Sequence, residues 1–333
     1  MGRNRNAMCI VRPPGHHAGV NGLLDGGESC GFCIFNNVAA GALHAISDER
    51  LLCERCAIVD FDVHHGNGTE EIVRKCHDPG KLFFFSIHLY DNEKKKQKGN
   101  ALQYKFYPGT GAEDDVAFNI INVAITPLWK EPNDKPAGNT HNTRQKSRQK
   151  TVAPSESMDD SSEVGTPRDS KDNGRFSDAD SETASTTKGA SNSPGPSSTT
   201  ASSTSASSGR LAYRQAIQNR LLPALRAFNP DLILISAGFD AARLDVGNAR
   251  HERGGERMGL DLEPEDYAWT TRKVLEVADI CCQGRVVSVL EGGYGRSLPT
   301  SNTHELDRSN LAECAVRHLQ AMVDPYDCEG RFP

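Results

Sequence analysis

Six short segments of the chain are apolar at almost every position and are rich in β-branched or aromatic residues. A continuous apolar run is typical of a strand that is buried on both faces of a sheet. We therefore predict six buried strands, at residues 8–11, 57–61, 82–87, 118–125, 232–235 and 286–290.

The segments between these runs place their apolar residues at helical spacing, which predicts helices at residues 36–47, 211–228 and 264–282. The third helix begins with Pro264 followed by two acidic residues, a combination favoured in a first turn. Strands that alternate with helices indicate an α/β domain with a mainly parallel central sheet. The expected fold class is a three-layer α/β sandwich.

Residues 131–209 interrupt this alternation, because they contain few apolar side chains and end in a tract rich in Ser and Thr. Such a segment cannot bury enough apolar surface to offset its ordering entropy, so we expect a disordered insertion. Residues 1–130 and 210–333 would then be the two parts of one domain. A domain tolerates such an insertion because closure entropy grows slowly with loop length.

Charge and hydropathy narrow the classes of protein. The chain has 333 residues, with 38 Lys and Arg against 44 Asp and Glu, which argues against a polybasic nucleic-acid binder. No segment has the ~20 consecutive apolar residues that a membrane span requires. The N-terminus lacks the apolar core of a secretory signal. We expect an intracellular protein, in the nucleus, the cytoplasm or both.

Polar side chains with glycines beside them follow four of the predicted strands. Because ligands of parallel α/β sheets bind beyond the carboxyl ends of the strands, these residues are candidates for a site. Glycine there lets the backbone turn sharply and approach a ligand closely. The four segments are RPPGHHAG, DVHHGNG, SAGFD and EGGYG, beginning at residues 12, 62, 236 and 291.

Two of these segments carry a candidate metal site. Asp62 and His64 stand two residues apart, so an extended backbone would direct both side chains to one face. Asp240, at another strand end, could complete a set of three ligands. Two carboxylates and one imidazole, with a position left for water, suit a catalytic Zn²⁺ or a similar divalent ion.

Four further residues favour proton transfer and carbonyl activation. Tandem His16 and His17 could take a proton from water and give one to a leaving amine. Asp60 lies on the same strand face as Asp62 and is a candidate partner for one of the histidines. Tyr294, after two glycines, could direct its hydroxyl to a substrate carbonyl.

Six blocks of the sequence, in the same order, resemble the signature of the zinc-dependent histone deacetylases, a family with the arginase/deacetylase fold. The Asn at position 67, where one branch of the family has Asp, is similar to the class II branch. The resemblance covers residues 7–128 and 211–325, all but the insertion. The blocks are VRPPGHHA, CGFCIFNN, IVDFDVHHGNGTEE, FYPGTG, SAGFDA and LEGGYG.

The resemblance implies a role for each residue that matches these motifs. His16 and His17 match the tandem histidines that act on the attacking water and on the leaving lysine amine. Asp60 matches the carboxylate behind the first histidine, and Asn67 stands where the partner of the second is found. Tyr294 matches the tyrosine that polarises the acetyl carbonyl. The residues that match the zinc ligands are Asp62, His64 and Asp240.

The resemblance also implies a narrow tunnel for the acyl-lysine side chain, walled by two aromatic rings. Tyr107 stands at one wall, where the family has Phe. Asp60 and Ser86 match contributors to the family's structural potassium site, so K⁺ is a second expected ion. The residues that match the tunnel lining are Gly31, Phe32, Tyr107 and Gly292.

The chain departs from the family at its N-terminus. Only eleven residues precede Arg12, whereas domains of the family carry opening strands and a rim acidic residue before this block. We therefore expect either a fragment of a longer chain or a sheet that lacks its N-terminal elements at one edge.

Four cysteines have the spacing of a zinc ribbon: Cys30 and Cys33, followed by Cys53 and Cys56. The helix predicted at residues 36–47 would hold the two pairs ~18 Å apart, at a rise of 1.5 Å per residue. Because all four thiolates must lie ~2.3 Å from one ion, we disfavour the ribbon.

The expected function is zinc-dependent hydrolysis of N6-acetyl-lysine in histones or other proteins, and the resemblance implies repression of transcription through chromatin. The expected partners are acetylated histone tails or other acetyl-lysine proteins and a co-repressor complex, with no sequence-specific nucleic-acid binding and no membrane. Two alternatives stay open: an acetylpolyamine deacetylase, and a low-activity co-repressor scaffold that binds acetyl-lysine.

Overall fold

A computed structural model describes residues 5–27, 29–90, 106–126, 128–129, 208–248, 257–297 and 305–326. All of them belong to one compact unit. The strands are β1 (Asn6–Cys9), β2 (Cys56–Asp60), β3 (Leu82–Leu89), β4 (Ile120–Ile125), β5 (Leu128–Trp129), β6 (Leu232–Ala237), β7 (Arg257–Met258), β8 (Val286–Leu290), β9 (Arg296–Ser297) and β10 (Leu306–Asp307). The α-helices are α1 (Asn37–Ser47), α2 (Asn67–Arg74), α3 (Ser208–Ala216), α4 (Leu222–Phe228), α5 (Pro264–Cys282) and α6 (Ser309–Val323).

Six strands form the central sheet in the order β1-β8-β6-β2-β3-β4. Every neighbouring pair in this sheet is parallel, and each strand corresponds to one of the six predicted apolar runs. The predicted strand bounds differ from the observed ones by up to two residues. At β4 the cause is local: residues Val116–Phe118 form a 3₁₀ turn, and Asn119 has φ of 54°, so the strand begins at Ile120. The mainly parallel sheet that the sequence predicts is confirmed.

Alternate side chains of the sheet enter two separate hydrophobic cores, because successive residues of a strand point to opposite faces. Ala57 and Val59 of β2 join the core that includes residues of α4 and α5. Cys56 and Ile58 join the core that includes Val38 of α1. The sheet is therefore covered on both faces, and the three-layer α/β sandwich is confirmed.

The helices follow their sequence signals closely. Asn36 caps α1 by accepting a hydrogen bond from the backbone N–H of Ala39 at 2.9 Å. Helix α5 begins at Pro264 and ends at Cys282, as predicted. The predicted helix at 211–228 is observed as α3, a π-helical turn at Ile217–Leu221, and α4. Helices α2 and α6 were not predicted.

The predicted insertion at residues 131–209 lies almost wholly outside the described residues. Only its last two residues are described, and they belong to α3. The flanks of the undescribed stretch lie close together: β5 pairs antiparallel with β7, and Gly209 lies against the backbone of Gly259 and Leu260.

Within the described residues, the side chains close enough to share one metal ion are Asp62, His64 and Asp240, and the rejection of a zinc ribbon stays a prediction. No described helix combines the length and apolarity needed to cross a membrane.

Candidate active site

The four strand-end segments meet because the strands that carry them are neighbours in the sheet. β1, β8, β6 and β2 are consecutive in the strand order, and all run in parallel. Their carboxyl ends therefore lie along one stretch of one sheet edge, which is where a ligand of a parallel α/β sheet binds.

Asp62, His64 and Asp240 form a cluster of potential metal ligands at this edge. One ligand atom from each lies within 4.8 Å of the other two. His64 Nδ1 is 3.1 Å from Asp62 Oδ1 and 3.1 Å from Asp240 Oδ2. Both carboxylates are fully buried, so the three side chains predicted as ligands converge on one protected point.

The surroundings of this cluster favour a bound cation. Burial alone would lower the pKa of His64, but hydrogen bonds with Asp240 and Asp62 and their negative charges raise it to about 10. Backbone N–H groups of Gly292 and Val63 donate to Asp62 Oδ2 at 2.8 Å and to Asp240 Oδ1 at 3.0 Å. Buried carboxylates that stabilise positive charge and are fixed by the backbone fit a divalent ion.

Gly292 shows how tightly the backbone approaches the cluster. A Cβ atom at this position would clash with the carboxylates of Asp240 and Asp62. The second residue of the EGGYG segment must therefore be glycine for the metal ligands to keep their positions.

His16 occupies an environment that favours its protonated form. Its Nδ1 is 2.9 Å from Asp60 Oδ2, and its Nε2 is 3.8 Å from Asp62 Oδ1. Burial opposes protonation, but the charges of Asp60 and Asp62 raise the pKa of His16 well above its ordinary value. Asp60 is the partner of the first histidine, as the sequence predicts.

His17 lies beside His16, with 4.0 Å between ring centroids, in an environment of the opposite kind. Burial and the neighbouring His16 and His64 hold the pKa of His17 well below its ordinary value. Its Nδ1 is 2.8 Å from Asn67 Oδ1. Because an amide oxygen only accepts, Nδ1 carries the proton and Nε2 keeps a free lone pair.

Tyr294 remains a neutral hydroxyl at this edge. Burial, followed by the charges of Asp240 and Asp62, raises the pKa of Tyr294 above its ordinary value. Its ring lies edge-on to Phe32 at 6.1 Å. Arg12, Pro13, Pro14, Phe32 and Tyr294 line an open recess of about 550 Å³.

Two of the predicted tunnel residues, Tyr107 and Gly31, lie against His17. The Tyr107 ring lies edge-on to His17 at 4.8 Å and to His64 at 6.1 Å. A Cβ atom on Gly31 would clash with the His17 ring and lie 3.0 Å from Tyr107 Cε1. Phe32 is 75% exposed, so it forms part of the mouth of the site.

The two residues predicted for a potassium site are neighbours in the sheet. Asp60 and Ser86 are paired in the register of β2 and β3. Ser86 Oγ is hydrogen bonded to His88 Nδ1 at 3.0 Å, and Asp60 Oδ1 accepts from the backbone N–H of Asp62 at 3.0 Å. The potassium site stays a prediction.

Two buried carboxylates with structural roles in the site were missed by the sequence analysis. Glu291 accepts hydrogen bonds from the backbone N–H groups of Gly15 at 2.6 Å and His16 at 3.1 Å, and from Ser236 Oγ at 3.0 Å. Asp245 accepts from the backbone N–H groups of Tyr294 at 3.0 Å and of Gly295 at 2.7 Å.

Each of these carboxylates therefore holds the backbone of a segment that carries a candidate catalytic side chain. The only signal that could have found Glu291 is its place at the head of the EGGYG segment. Asp245 has no comparable signal, because it lies in an irregular stretch five residues after Asp240.

Comparison with known proteins agrees with this geometry. The family model for the histone deacetylase domain matches residues 1–307. Type-2 histone deacetylase 2 of Dictyostelium discoideum is 30% identical over 332 residues, covering 97% of this chain and 13% of that protein. Histone deacetylase 15 of Arabidopsis thaliana is 30% identical over 309 residues, covering 91% of this chain and 35% of that protein.

A crystal structure of the HDA15 HD domain superposes on this chain with a TM-score of 0.53 and 25% sequence identity, covering 97% of this chain and 57% of that one. The chain thus covers less than two thirds of each of these three relatives. The parallel sheet, its two helical layers and the cluster at its carboxyl edge define a protein of the arginase/deacetylase fold. Within that class, the chain belongs to the histone deacetylase family.

Proposed function

We propose that this chain hydrolyses N6-acetyl-lysine side chains of proteins, with histones among the candidate substrates. One observation carries the proposal: two adjacent histidines of opposite protonation preference, with 4.0 Å between ring centroids, lie directly beside the Asp62, His64 and Asp240 cluster. Amide hydrolysis requires one group that accepts a proton from water and one that supplies a proton to the leaving amine.

Zinc is the proposed cofactor, held by Asp62, His64 and Asp240. Bound there, it would supply Lewis acidity that polarises the acetyl carbonyl and makes water acidic enough to be deprotonated near neutral pH. The convergence of two buried carboxylates and one imidazole, and the backbone donors that hold the carboxylates, support this assignment. K⁺ at Asp60 and Ser86 is a second, separate proposal that rests on the family resemblance.

The protein's own residues divide the proton transfers between them. His17, neutral and with a free Nε2, accepts a proton from the attacking water, and Asn67 keeps the ring in the required tautomer. The histidine pair then gives a proton to the departing amine, so the proton that His17 took from water leaves with the product. His16, charged and paired with Asp60, keeps positive charge next to the reaction during this transfer. The Tyr294 hydroxyl donates a hydrogen bond to the acetyl oxygen as negative charge develops there.

The side chains at the mouth of the site leave room for a thin substrate side chain. Tyr107 and Gly31 crowd His17 from the loop side, and Phe32 lies beside Tyr294 at the mouth. A flexible alkyl chain with a small acyl group fits such an approach, and a bulky side chain does not. Three further proposals rest on the family alone. They are repression of transcription through chromatin, membership of a co-repressor complex, and a location in the nucleus or cytoplasm.

The test is an assay of the full 333-residue chain on an acetylated histone-tail peptide. After treatment with a chelator and return of Zn²⁺, we expect hydrolysis to be lost and then restored. Asp240→Asn should lose at least ~10³-fold in kcat/KM, since removing a ligand costs more than the 10–100-fold loss of an outer partner. Asp279→Asn, which changes an exposed carboxylate on α5, is the matched control and should be unchanged.

Acetylspermidine assayed in parallel separates the proposal from its alternatives. Faster turnover of the polyamine than of any acetylated peptide would replace the proposal with an acetylpolyamine deacetylase. Peptide binding without turnover, by zinc-loaded protein, would replace it with a scaffold that binds acetyl-lysine.

A further inference from the structure

The turn that presents Phe32 at the mouth of the site has an unfavourable backbone. Gly31 and Phe32 both have positive φ, at 52° and 67°. Glycine adopts this region without cost, but a phenylalanine there is uncommon and strained. The turn keeps this shape only if contacts around it hold it in place.

Contacts within the turn supply part of that support. The backbone N–H of Cys33 donates to the carbonyl of Cys30 at 2.8 Å, which closes the turn. The N–H of Gly31 donates to Ser29 Oγ at 3.0 Å. These two bonds are local, but the backbone N–H of His17 also donates to Cys33 Sγ at 3.4 Å, so the Cys33 end of the turn is held against the histidine loop. The Ser29 end has no part in that contact.

A hydrogen bond of Tyr107 links the turn to the opposite side of the pocket. The hydroxyl of Tyr107 donates to the backbone carbonyl of Ser29 at 2.7 Å. Phenylalanine, which the family resemblance implies at this position, has no hydroxyl and cannot form the bond. We call the hydrogen bond between Tyr107 and Ser29 the latch.

The segment that carries Tyr107 is itself well anchored. Thr110 Oγ1 is 2.8 Å from His65 Nδ1, and the Nε2 of His88 donates to the carbonyl of Gly111 at 2.9 Å. His65 and His88 are buried in the fold next to β2 and on β3. The latch therefore connects a strained turn to a fixed support.

The latch lies beside the path by which an acyl-lysine side chain would reach His17. The Tyr107 ring contacts His17 edge-on, and the residues that follow Ser29 in the turn include Gly31, which packs on His17, and Phe32, which packs on Tyr294. A shift of the turn would change the space between Tyr107 and the residues on its other side.

We propose that the latch holds this approach in a narrow form and so selects acetyl-lysine over lysines with longer acyl groups. The inference rests on the proposed function and adds to it a residue that determines the acyl length. When the latch is present, Tyr107 and the turn keep fixed positions beside His17, and a four-carbon acyl group clashes with them. When the latch is lost, the turn can move outward and admit the longer group.

Tyr107→Phe tests the latch with almost no change in volume. We expect the ratio of kcat/KM for an acetyl-lysine peptide to kcat/KM for the same peptide carrying butyryl-lysine to fall by about three- to tenfold, the range that one ordinary hydrogen bond supplies. Tyr326→Phe is the matched control, because it removes an exposed tyrosine hydroxyl that donates to Asp279, remote from the site. The control should keep the wild-type ratio.

Hydrogen exchange gives a second readout that does not depend on turnover. The backbone amides of Gly31 and Cys33 should exchange faster in Tyr107→Phe than in the wild-type chain and the control, because the turn loses its hydrogen bond to Tyr107. A thermal unfolding curve close to that of wild type confirms that the variant is folded.

The outcomes separate the inference from the function beneath it. A wild-type chain that hydrolyses the acetyl peptide, with an unchanged ratio in Tyr107→Phe, overturns the latch and leaves the proposed function intact. A wild-type chain that hydrolyses neither peptide overturns both. A lowered ratio without faster exchange at residues 31 and 33 overturns the latch as the cause of the selectivity.

Discussion

The two sides of the candidate site are built in different ways. Asp62 and Asp240 follow strands of the central sheet directly, are fully buried, and accept hydrogen bonds from neighbouring backbone. Phe32 and Tyr107 come from irregular segments, and Phe32 is 75% exposed. Strand ends therefore supply charge at fixed points, and the loops supply shape that depends on a few contacts.

The tandem histidines belong to the first kind although they lie on a loop. His16 and His17 are buried, and Glu291 holds the backbone before them from the end of β8. If this division is real, changes on the strand-end side should act on kcat. Changes on the loop side should act on which acyl group is accepted.

Of the substitutions on the strand-end side, His17→Ala should lower kcat the most. Removing the proposed base should lower kcat on an acetyl-lysine peptide by ~10²–10⁴-fold, the usual contribution of a general base, with KM little changed. Steady-state kinetics over a range of peptide concentrations measures both parameters. His44→Ala, an exposed histidine on α1, is the matched control. If His17→Ala changed only KM or the preferred acyl length, the assignment of kcat to the strand-end side and of acyl selectivity to the loop side would be wrong.

Glu291→Ala should have a smaller effect of the same kind. It leaves the buried N–H groups of Gly15 and His16 without their acceptor, so the histidine loop loses its fixed position. We expect kcat to fall by ~10–100-fold, as for other outer partners of a metal site. Kinetics at saturating peptide measures the fall.

Glu291→Gln sharpens this prediction, because the amide oxygen can still accept both backbone bonds and the amide nitrogen can donate to Ser236. It should recover most of the kcat that Glu291→Ala loses. An equally large loss in both variants would mean that the charge of Glu291 matters and its positioning role does not.

His318 should affect neither side of the site, but it should affect stability. Burial lowers the pKa of His318 to about 4, from an ordinary value of 6.5. Between these values the unfolded chain binds a proton that the folded chain does not, so the free energy of unfolding decreases as the pH falls from 6.5 to about 4. The contribution is about 3 kcal/mol, at 1.36 kcal/mol per pKa unit.

Denaturant unfolding at several pH values, in wild type and His318→Gln, measures this contribution. The difference between the two curves removes the titration of all other groups. We expect the wild type to lose more stability than the variant on acidification, with kcat at pH 7 unchanged. Parallel curves would show that His318 is not the titrating group.

The sequence contained most of the strand-end side of the site. The six apolar runs are continuous because both faces of each central strand are buried, and such runs place Asp62, His64, Asp240 and Tyr294 directly after strands. Helix α5 was predicted from Pro264 to Cys282 because Pro and two acidic residues mark its first turn.

The parts that sequence did not reveal depend on contacts between distant residues. Glu291 lies 276 positions from Gly15, which it binds, and Tyr107 lies 78 positions from Ser29. No local pattern encodes such pairs. Helix α2 was missed because it has only 8 residues and starts inside the glycine-containing DVHHGNG segment.

The two ends of the undescribed stretch lie next to each other on the fold. On one side β5 pairs with β7, and on the other side Gly209 packs against Gly259 and Leu260, which follow β7. A chain that departs and comes back at the same place can gain or lose residues between those points at little thermodynamic cost. A chain with most of the residues between Trp129 and Ser208 removed should therefore keep the fold of the described residues.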